Sequence, residues 1–226
     1  MPYASTPKHR RSFHRRLTAW FRRAGRDLPW RRTRDPYAVL VSEVMLQQTQ
    51  VSRVLEYYPR FLAAYPTLAD LARARPAAVR EAWDGLGYYR RAANLRRLAQ
   101  AVVKSHDGRL PETPGDLIAL PGVGPYTAGA VACFAFERAA AAVDTNVARV
   151  LTRYFGRRRP PAALRALAQA LQPRRGRAAW TFNQALMELG ALLCTARAPR
   201  CAACPVRMDC RYALRASARQ RTASRG

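Results

Sequence analysis

Apolar residues recur along this chain every three or four positions and almost nowhere every second one. Phe13, Leu17, Trp20 and Phe21 fall on i, i+4, i+7 and i+8, one face of a helix, and Gly25 is placed to stop it. Tyr37, Leu40, Val41, Val44 and Met45 form a second stripe that starts from Pro36, a residue suited to the first helical position. The same spacing predicts helices over 50–64, 67–73, 76–83, 88–105, 114–119, 125–137, 145–155, 161–171 and 178–194. Thr113-Pro114-Gly115-Asp116 reads as a capped helix start, with Thr113 at the cap and Pro114 in the first turn. The alanine-rich segment 139–142 reads as a connector, and no internal repeat is present. The pattern is that of an all-α protein.

Composition adds a partner to this picture. The chain has 226 residues and is 49% hydrophobic, an ordinary value for a chain with a real core. Its charge is not ordinary: 40 Lys+Arg face 14 Asp+Glu, a formal net charge of +26. Codon bias exchanges lysine for arginine, but it does not create an excess of bases over acids, so the balance favours a polyanionic partner, nucleic acid above all. The lysines are Lys8 and Lys104 alone. The first residues lack the apolar core of a secretion signal, and no apolar run is long enough to span a membrane. A cytoplasmic protein without a membrane partner is expected. The arginine-rich stretches 9–16 and 211–226 are expected to be mobile, with 213–226 a basic disordered tail. His9, His14 and His106 sit in basic or loop contexts and receive no catalytic role.

Three features carry chemistry. Cys194, Cys201, Cys204 and Cys210 follow C-x6-C-x2-C-x5-C, a set that can enclose one tetrahedral metal ion or a [4Fe–4S] cluster, the longer gaps suiting the cluster better. Cys133 lies in an apolar helix and reads as core. In ALPGVGPYTAG (119–129) two glycines that permit positive φ precede a helix start, where backbone N–H groups and the helix dipole favour a phosphate. Among the carboxylates, Asp144 stands just before an apolar-periodic run and reads as a helix cap. Glu43 lies beside the Leu40/Val41/Val44 stripe, which predicts burial, and burial favours the protonated acid. Glu188 lies in the otherwise apolar ALMELGALL and needs a partner, either an amino group to accept from or an arginine.

The cysteine loop, following a hairpin like LPGVG, resembles the endonuclease III superfamily of helix-hairpin-helix DNA glycosylases. LPWR (28–31), SEVMLQQTQV (42–51), GLGYY (85–89), LPGVG (120–124), VDTNV (143–147) and FNQALMELGALLCT (182–195) occur in order and resemble MutY-type adenine DNA glycosylases over residues 12 to 210. That resemblance implies two helical domains with the active site in the cleft between them. One is a six-helix barrel domain at 29–138 with its helix-hairpin-helix at 114–136; the other is an iron–sulfur domain built from 1–28 and 139–212.

The resemblance also implies roles. Glu43 is the general acid that protonates adenine, and Asp144 stabilises or traps the oxocarbenium-like sugar. Asn146 orients Asp144 and the attacking water. Gln48 and Tyr88 wedge into the base stack, while Gly122, Val123 and Gly124 grip the backbone. Arg26, Leu28, Trp30, Arg31 and Glu188 line the base pocket. Cys194, Cys201, Cys204 and Cys210 hold a structural [4Fe–4S] cluster, with Arg197, Arg200, Arg207 and Arg211 placed for phosphate contacts. Tyr126, beside Asp144, stands where strand-cutting relatives carry a lysine, so a monofunctional enzyme is expected. The expected substrate is double-stranded DNA with adenine opposite guanine or 8-oxoguanine, acted on by a monomeric, nucleoid-associated bacterial protein. The alternatives are a thymine/uracil glycosylase for T·G or U·G mismatches and a non-catalytic DNA-binding protein. Only 16 residues follow Cys210, so the β-rich domain with which such enzymes recognise 8-oxoguanine is expected to be absent from this chain.

Overall fold

In this computed structural model residues 7–216 are described, and every regular element among them is helical. The helices are α1 (Pro7–Ala24), α2 (Pro29–Arg32), α3 (Pro36–Met45), α4 (Val51–Ala64), α5 (Leu68–Arg73), α6 (Pro76–Ala82), α7 (Arg90–Ser105), α8 (Pro114–Ile118), α9 (Pro125–Phe134), α10 (Thr145–Phe155), α11 (Pro161–Leu171) and α12 (Gly176–Leu192). The chain divides into two units, Asp27–Ala140 and Met1–Arg26 with Ala141–Gly226. No helix among the described residues is long and apolar enough to cross a membrane.

In the unit Asp27–Ala140, prolines and short polar caps set the helix starts. Proline opens α2, α3, α6, α8 and α9, where its missing N–H costs nothing. Asp35 accepts from the Ala38 N–H at 2.6 Å, and Thr113 accepts from Asp116 N, as its sequence motif predicts. Thr67 and Asp70 complete a reciprocal capping box on α5. Helix α3 is buried from Val39 to Met45 and packs on α9. Ala128, Gly129, Ala130 and Ala132 give α9 the small buried face that permits this approach. At the turn between α8 and α9, Gly122 has φ +77° and a Cβ there would stand 2.8 Å from Asn94 Cβ, so only glycine fits.

Two expected helices are shorter by two or more residues than their apolar spacing predicts. α7 starts at Arg90 rather than 88, because Tyr88 adopts φ +48°; α9 ends at Phe134 rather than 137, and Glu137 has φ +52°. The short α2 escapes periodicity altogether, since four residues cannot display a stripe.

In the other unit, Phe13 and Leu17 of α1 share a core with Val150 and Leu151 of α10, Leu164 of α11, and Phe182 and Leu186 of α12. Burial of each such side chain contributes roughly 1.5–3 kcal/mol. The Phe13 and Tyr154 rings lie 4.3 Å apart. Asn183, buried within α12, accepts from the Ala142 N–H at 3.1 Å and exchanges hydrogen bonds with Gln172, which anchors the 139–142 connector. Helices α10 and α12 come so close that a Cβ on Gly190 would stand 2.6 Å from Asn146 Cβ. Short 3-10 turns, Cys201–Ala203 and Arg207–Asp209, shape the cysteine loop.

Both expectations of mobile arginine-rich ends need correction. Residues 9–16 lie in α1, where burial of Phe13 holds them, and residues 211–216 are helical. The rest of the expected tail, 217–226, lies outside the described residues.

Candidate active site and cysteine loop

Asp144 is the N-cap of α10, and both of its carboxylate oxygens are engaged. The Val147 N–H donates to Oδ1 at 2.7 Å and the Asn146 amide donates to Oδ2 at 2.9 Å. Asn146 is held in turn, its Oδ1 accepting from Arg149 at 2.7 Å. The Arg149 guanidinium also donates to the Gly190 carbonyl at 2.7 Å and to the Cys194 carbonyl at 2.7 Å. One chain of hydrogen bonds therefore runs from the Asp144 carboxylate to the backbone of the cysteine loop. One turn further along α10, Arg153 donates to the carbonyls of Thr195 at 2.6 Å and Ala196 at 2.8 Å. Sequence reading missed both arginines; their signal is a basic pair at i and i+4 on the face of α10 opposite its apolar stripe. Beside Asp144 a concavity of about 740 Å³ is lined by Arg149, Arg153, Arg158, Arg159 and Arg165.

In the other unit Glu43 is only 4% exposed, in agreement with the burial its apolar stripe predicts. The Tyr126 hydroxyl, from the first turn of α9, donates to Glu43 Oε2 at 2.6 Å. Tyr126, which the resemblance places beside Asp144, thus shares a hydrogen bond with the carboxylate of its own unit. No lysine lies in α9.

Gln48 and Tyr88 are both exposed, Tyr88 at 60%, and both have positive φ, +56° and +48°. At the hairpin the two glycines differ. Gly122 uses its left-handed freedom, whereas Gly124 has φ −95° and serves as the N-cap of α9, with nothing within 4 Å of where its Cβ would stand. The Val123 N–H is taken by the Leu120 carbonyl at 3.2 Å, and no side chain caps α9.

The expected base-pocket residues are divided. Arg26 and Glu188 belong to one unit and form a bidentate ion pair, with Nε to Oε1 at 2.7 Å and Nη2 to Oε2 at 3.0 Å. The Arg26 backbone N–H adds a third bond to Oε1 at 2.9 Å. Of the two partners open to Glu188, the structure contains the arginine. Leu28, Trp30 and Arg31 belong to the other unit. Leu28 and Trp30 are buried, the Trp30 ring edge-on to Tyr58 at 5.6 Å, and Arg31 is half-buried.

Cys194, Cys201, Cys204 and Cys210 are free, half-buried thiols, and Cys194, Cys204 and Cys210 back onto the apolar core. Burial pushes the Cys204 thiol up to about 11 and raises Cys201 and Cys210 as well, with neighbouring thiols of the set adding to each. A bound cation reverses that trend by drawing the protons off. Arg153 Nη1 lies 3.5 Å from Cys194 Sγ, a positive charge suited to thiolates. The donor set thus fits a thiolate-held metal or cluster, although among the described residues no group of ligating side chains is closed up as a metal site. Arg197, Arg200, Arg207 and Arg211 around the loop are exposed. Cys133 is fully buried in α9, as its apolar setting predicts.

Comparison with known proteins agrees with this fold. Residues 41–173 match the HhH-GPD superfamily of base excision DNA repair proteins, and the chain belongs to that family. It is 47% identical to an adenine DNA glycosylase of Mycolicibacterium smegmatis over 87% of this chain and 68% of that one. To the human adenine DNA glycosylase it is 45% identical over 94% of this chain, and it spans 41% of that protein. Among solved structures, a thermostable thymine-DNA glycosylase superposes with a TM-score of 0.86 at 34% identity, covering 92% of this chain and 98% of that one. A trapped endonuclease III–DNA covalent intermediate superposes with a TM-score of 0.81 at 25% identity, covering 94% of this chain and 99% of that one.

Proposed function

We propose that this chain is a DNA glycosylase of base excision repair that releases adenine, mispaired with guanine or 8-oxoguanine, from double-stranded DNA. The observation that carries the reading is Asp144, a carboxylate held by a helix N-terminus and an amide, and so preorganised before substrate arrives. Its relatives named adenine DNA glycosylases, at 47% and 45% identity, support adenine as the base.

The reaction then follows from what each residue can do. Cleavage of the N-glycosidic bond builds positive charge on the deoxyribose, which Asp144 stabilises. Asn146 orients that carboxylate and the attacking water. Adenine leaves as a neutral base once Glu43 has protonated it, a contribution of about 10²–10⁴-fold. Tyr126 holds the Glu43 carboxyl in place through its hydroxyl. Gln48 and Tyr88 fill the space of the extruded nucleotide, which offsets a few kcal/mol of unstacking. The hairpin residues Gly122, Val123 and Gly124 at the start of α9, which no side chain caps, the arginine-lined concavity and the exposed loop arginines hold phosphates. Arg26, Leu28, Trp30, Arg31 and Glu188 are the residues assigned to recognition of the base, with Glu188 acting through Arg26.

Cys194, Cys201, Cys204 and Cys210 would hold a [4Fe–4S] cluster, which supplies a rigid cross-link for the loop and no step of the reaction. With Tyr126 rather than a lysine in α9, base release leaves the strand intact. The protein works as a monomer at the nucleoid, in the cytoplasm of a bacterium. Single-turnover assays on A·8-oxoguanine, A·G, T·G and U·G duplexes, with and without alkali, test the reading. Adenine release with strand scission only after alkali is expected. Thymine or uracil release in its place overturns the assignment in favour of the mismatch enzyme that the thymine-DNA glycosylase likeness represents.

A further inference from the structure

Outside the residues already assigned, one heavily bonded side chain among the described residues is Arg91, at the start of α7 and 9% exposed. Its Nη1 donates to the carbonyls of Val44 at 3.0 Å, Met45 at 2.8 Å and Gln47. Its Nη2 donates to Thr49 Oγ1 at 3.0 Å and to the carbonyls of Leu86 and Gly87, each at 3.1 Å. The guanidinium lies 5.4 Å from the centre of the Tyr88 ring and 5.5 Å from that of Trp83. None of these partners is a carboxylate. The charge is met by carbonyl dipoles, two of them at the C-terminal end of α3, where a cation is favoured.

Those acceptors fall on two segments with one property in common. Gln47 and Thr49 flank Gln48, and Leu86 and Gly87 run into Tyr88. Gln48 and Tyr88 are non-glycine residues with left-handed backbone, and neither is of the type that adopts it readily. Such conformations cost about 1–3 kcal/mol each and persist only where their surroundings over-determine them. Here one side chain touches the backbone before Gln48, the Thr49 hydroxyl after it, the backbone leading into Tyr88, and the face of the Tyr88 ring. The other left-handed non-glycine residues, Asp107 and Glu137, have no such clamp on Arg91.

We infer that Arg91 is a positioning residue that holds Gln48 and Tyr88 in their extruding conformation before DNA binds, so that one guanidinium sets the geometry of both wedges. The inference rests on the reading of Gln48 and Tyr88 as the residues that enter the base stack. Lysine keeps the charge of Arg91 but not its planar fork, and it cannot reach both segments at once. The mechanism of the clamp is therefore separable from its charge.

The test uses a duplex carrying 2-aminopurine at the target position, with fluorescence reporting extrusion and single-turnover release reporting chemistry. Arg91→Lys is expected to bind undamaged duplex within about twofold of the parent, since no phosphate contact is lost. Its extrusion is expected to be about 10-fold slower or worse, inside the 10²-fold that a misplacement of about 1 Å can cost. Thr49→Val, which removes one acceptor at constant shape, is expected to slow extrusion less and in the same direction. Extrusion at the parental rate in both variants overturns the inference; if Arg91→Lys fails to fold, Thr49→Val decides alone. Gln48→Ala and Tyr88→Ala separate the two ideas. Unchanged extrusion in those variants refutes the wedge reading, whereas slow extrusion there beside parental rates in the Arg91 and Thr49 variants refutes only the clamp.

Discussion

The Asn146 side-chain amide donates to Asp144 Oδ2 at 2.9 Å while its own oxygen accepts from Arg149 at 2.7 Å. The orientation of the amide is thereby settled at both ends. Asp144 is presented to substrate by a residue that cannot rotate without breaking a bond to a guanidinium.

Asp144→Asn separates the cap from the chemistry. Asparagine caps a helix about as well as aspartate, so α10 survives and the melting temperature changes little. The charge is lost, and base release is expected to fall by about 10²–10³-fold, the scale of removing one preorganised electrostatic group. Single-turnover kinetics beside a thermal melt check both halves; unchanged base release removes Asp144 from the reaction.

Arg149→Gln cuts the link between Asn146 and the cysteine loop. Base release is expected to drop about 10–100-fold, as for other residues that orient a reacting group or ligand. Arg153→Gln, which touches the loop but not Asn146, is the control. It is expected to change the iron and sulfide content of the purified protein more than the rate. Equal rate losses in the two variants argue against a specific path through Asn146.

Glu188→Gln removes one charge of the Arg26 pair. Glu188 is fully buried, whereas the Arg26 side chain is 36% exposed, so the loss is smaller than for a fully buried pair, roughly 1.5–3 kcal/mol. Chemical denaturation measures it. Because the carboxylate is committed to Arg26, the preference for adenine over thymine is expected to keep its order. A reversed preference shows that Glu188 reads the base directly.

His14 gives the protein an acid-sensitive element away from the catalytic residues. Burial, followed by the Arg10 charge, lowers its affinity for a proton below the ordinary value of 6.5, and its buried Nε2 has no hydrogen-bond partner among the described residues. As pH falls through 6.5 the unfolded chain takes up a proton that the folded chain resists, so stability drops toward acid. Between about pH 7 and 5, His14→Gln is expected to flatten the decline of melting temperature with pH. A slope equal to that of the parent rules the element out.

Much of this was legible in the spacing of side chains. The stripes of α1 and α3, the cap at Thr113, the cap at Asp144 and the burial of Glu43 all follow from local pattern, because each depends on residues within two helical turns. What escaped depends on partners far apart in sequence. Arg149 and Arg153 look like solvated charges until the cysteine loop folds over α10. Tyr88 belongs to α7 by apolar spacing and leaves it only because the 84–89 loop turns left-handed. The likeness of Gly122 and Gly124 in sequence concealed that one is obligatory for its φ while the other is simply a cap.

The contact between Gly190 and Asn146 gives the enzyme a genetic weak point. Even a methyl group at 190 displaces the backbone that carries Asn146, although alanine alters no charge and no hydrogen-bonding group of the site. Every single-base change at the first or second position of a glycine codon introduces such a side chain or ends translation. The geometry around Asp144 thus depends on a codon that tolerates substitution at its third base only, at a position no inventory of reactive residues would include.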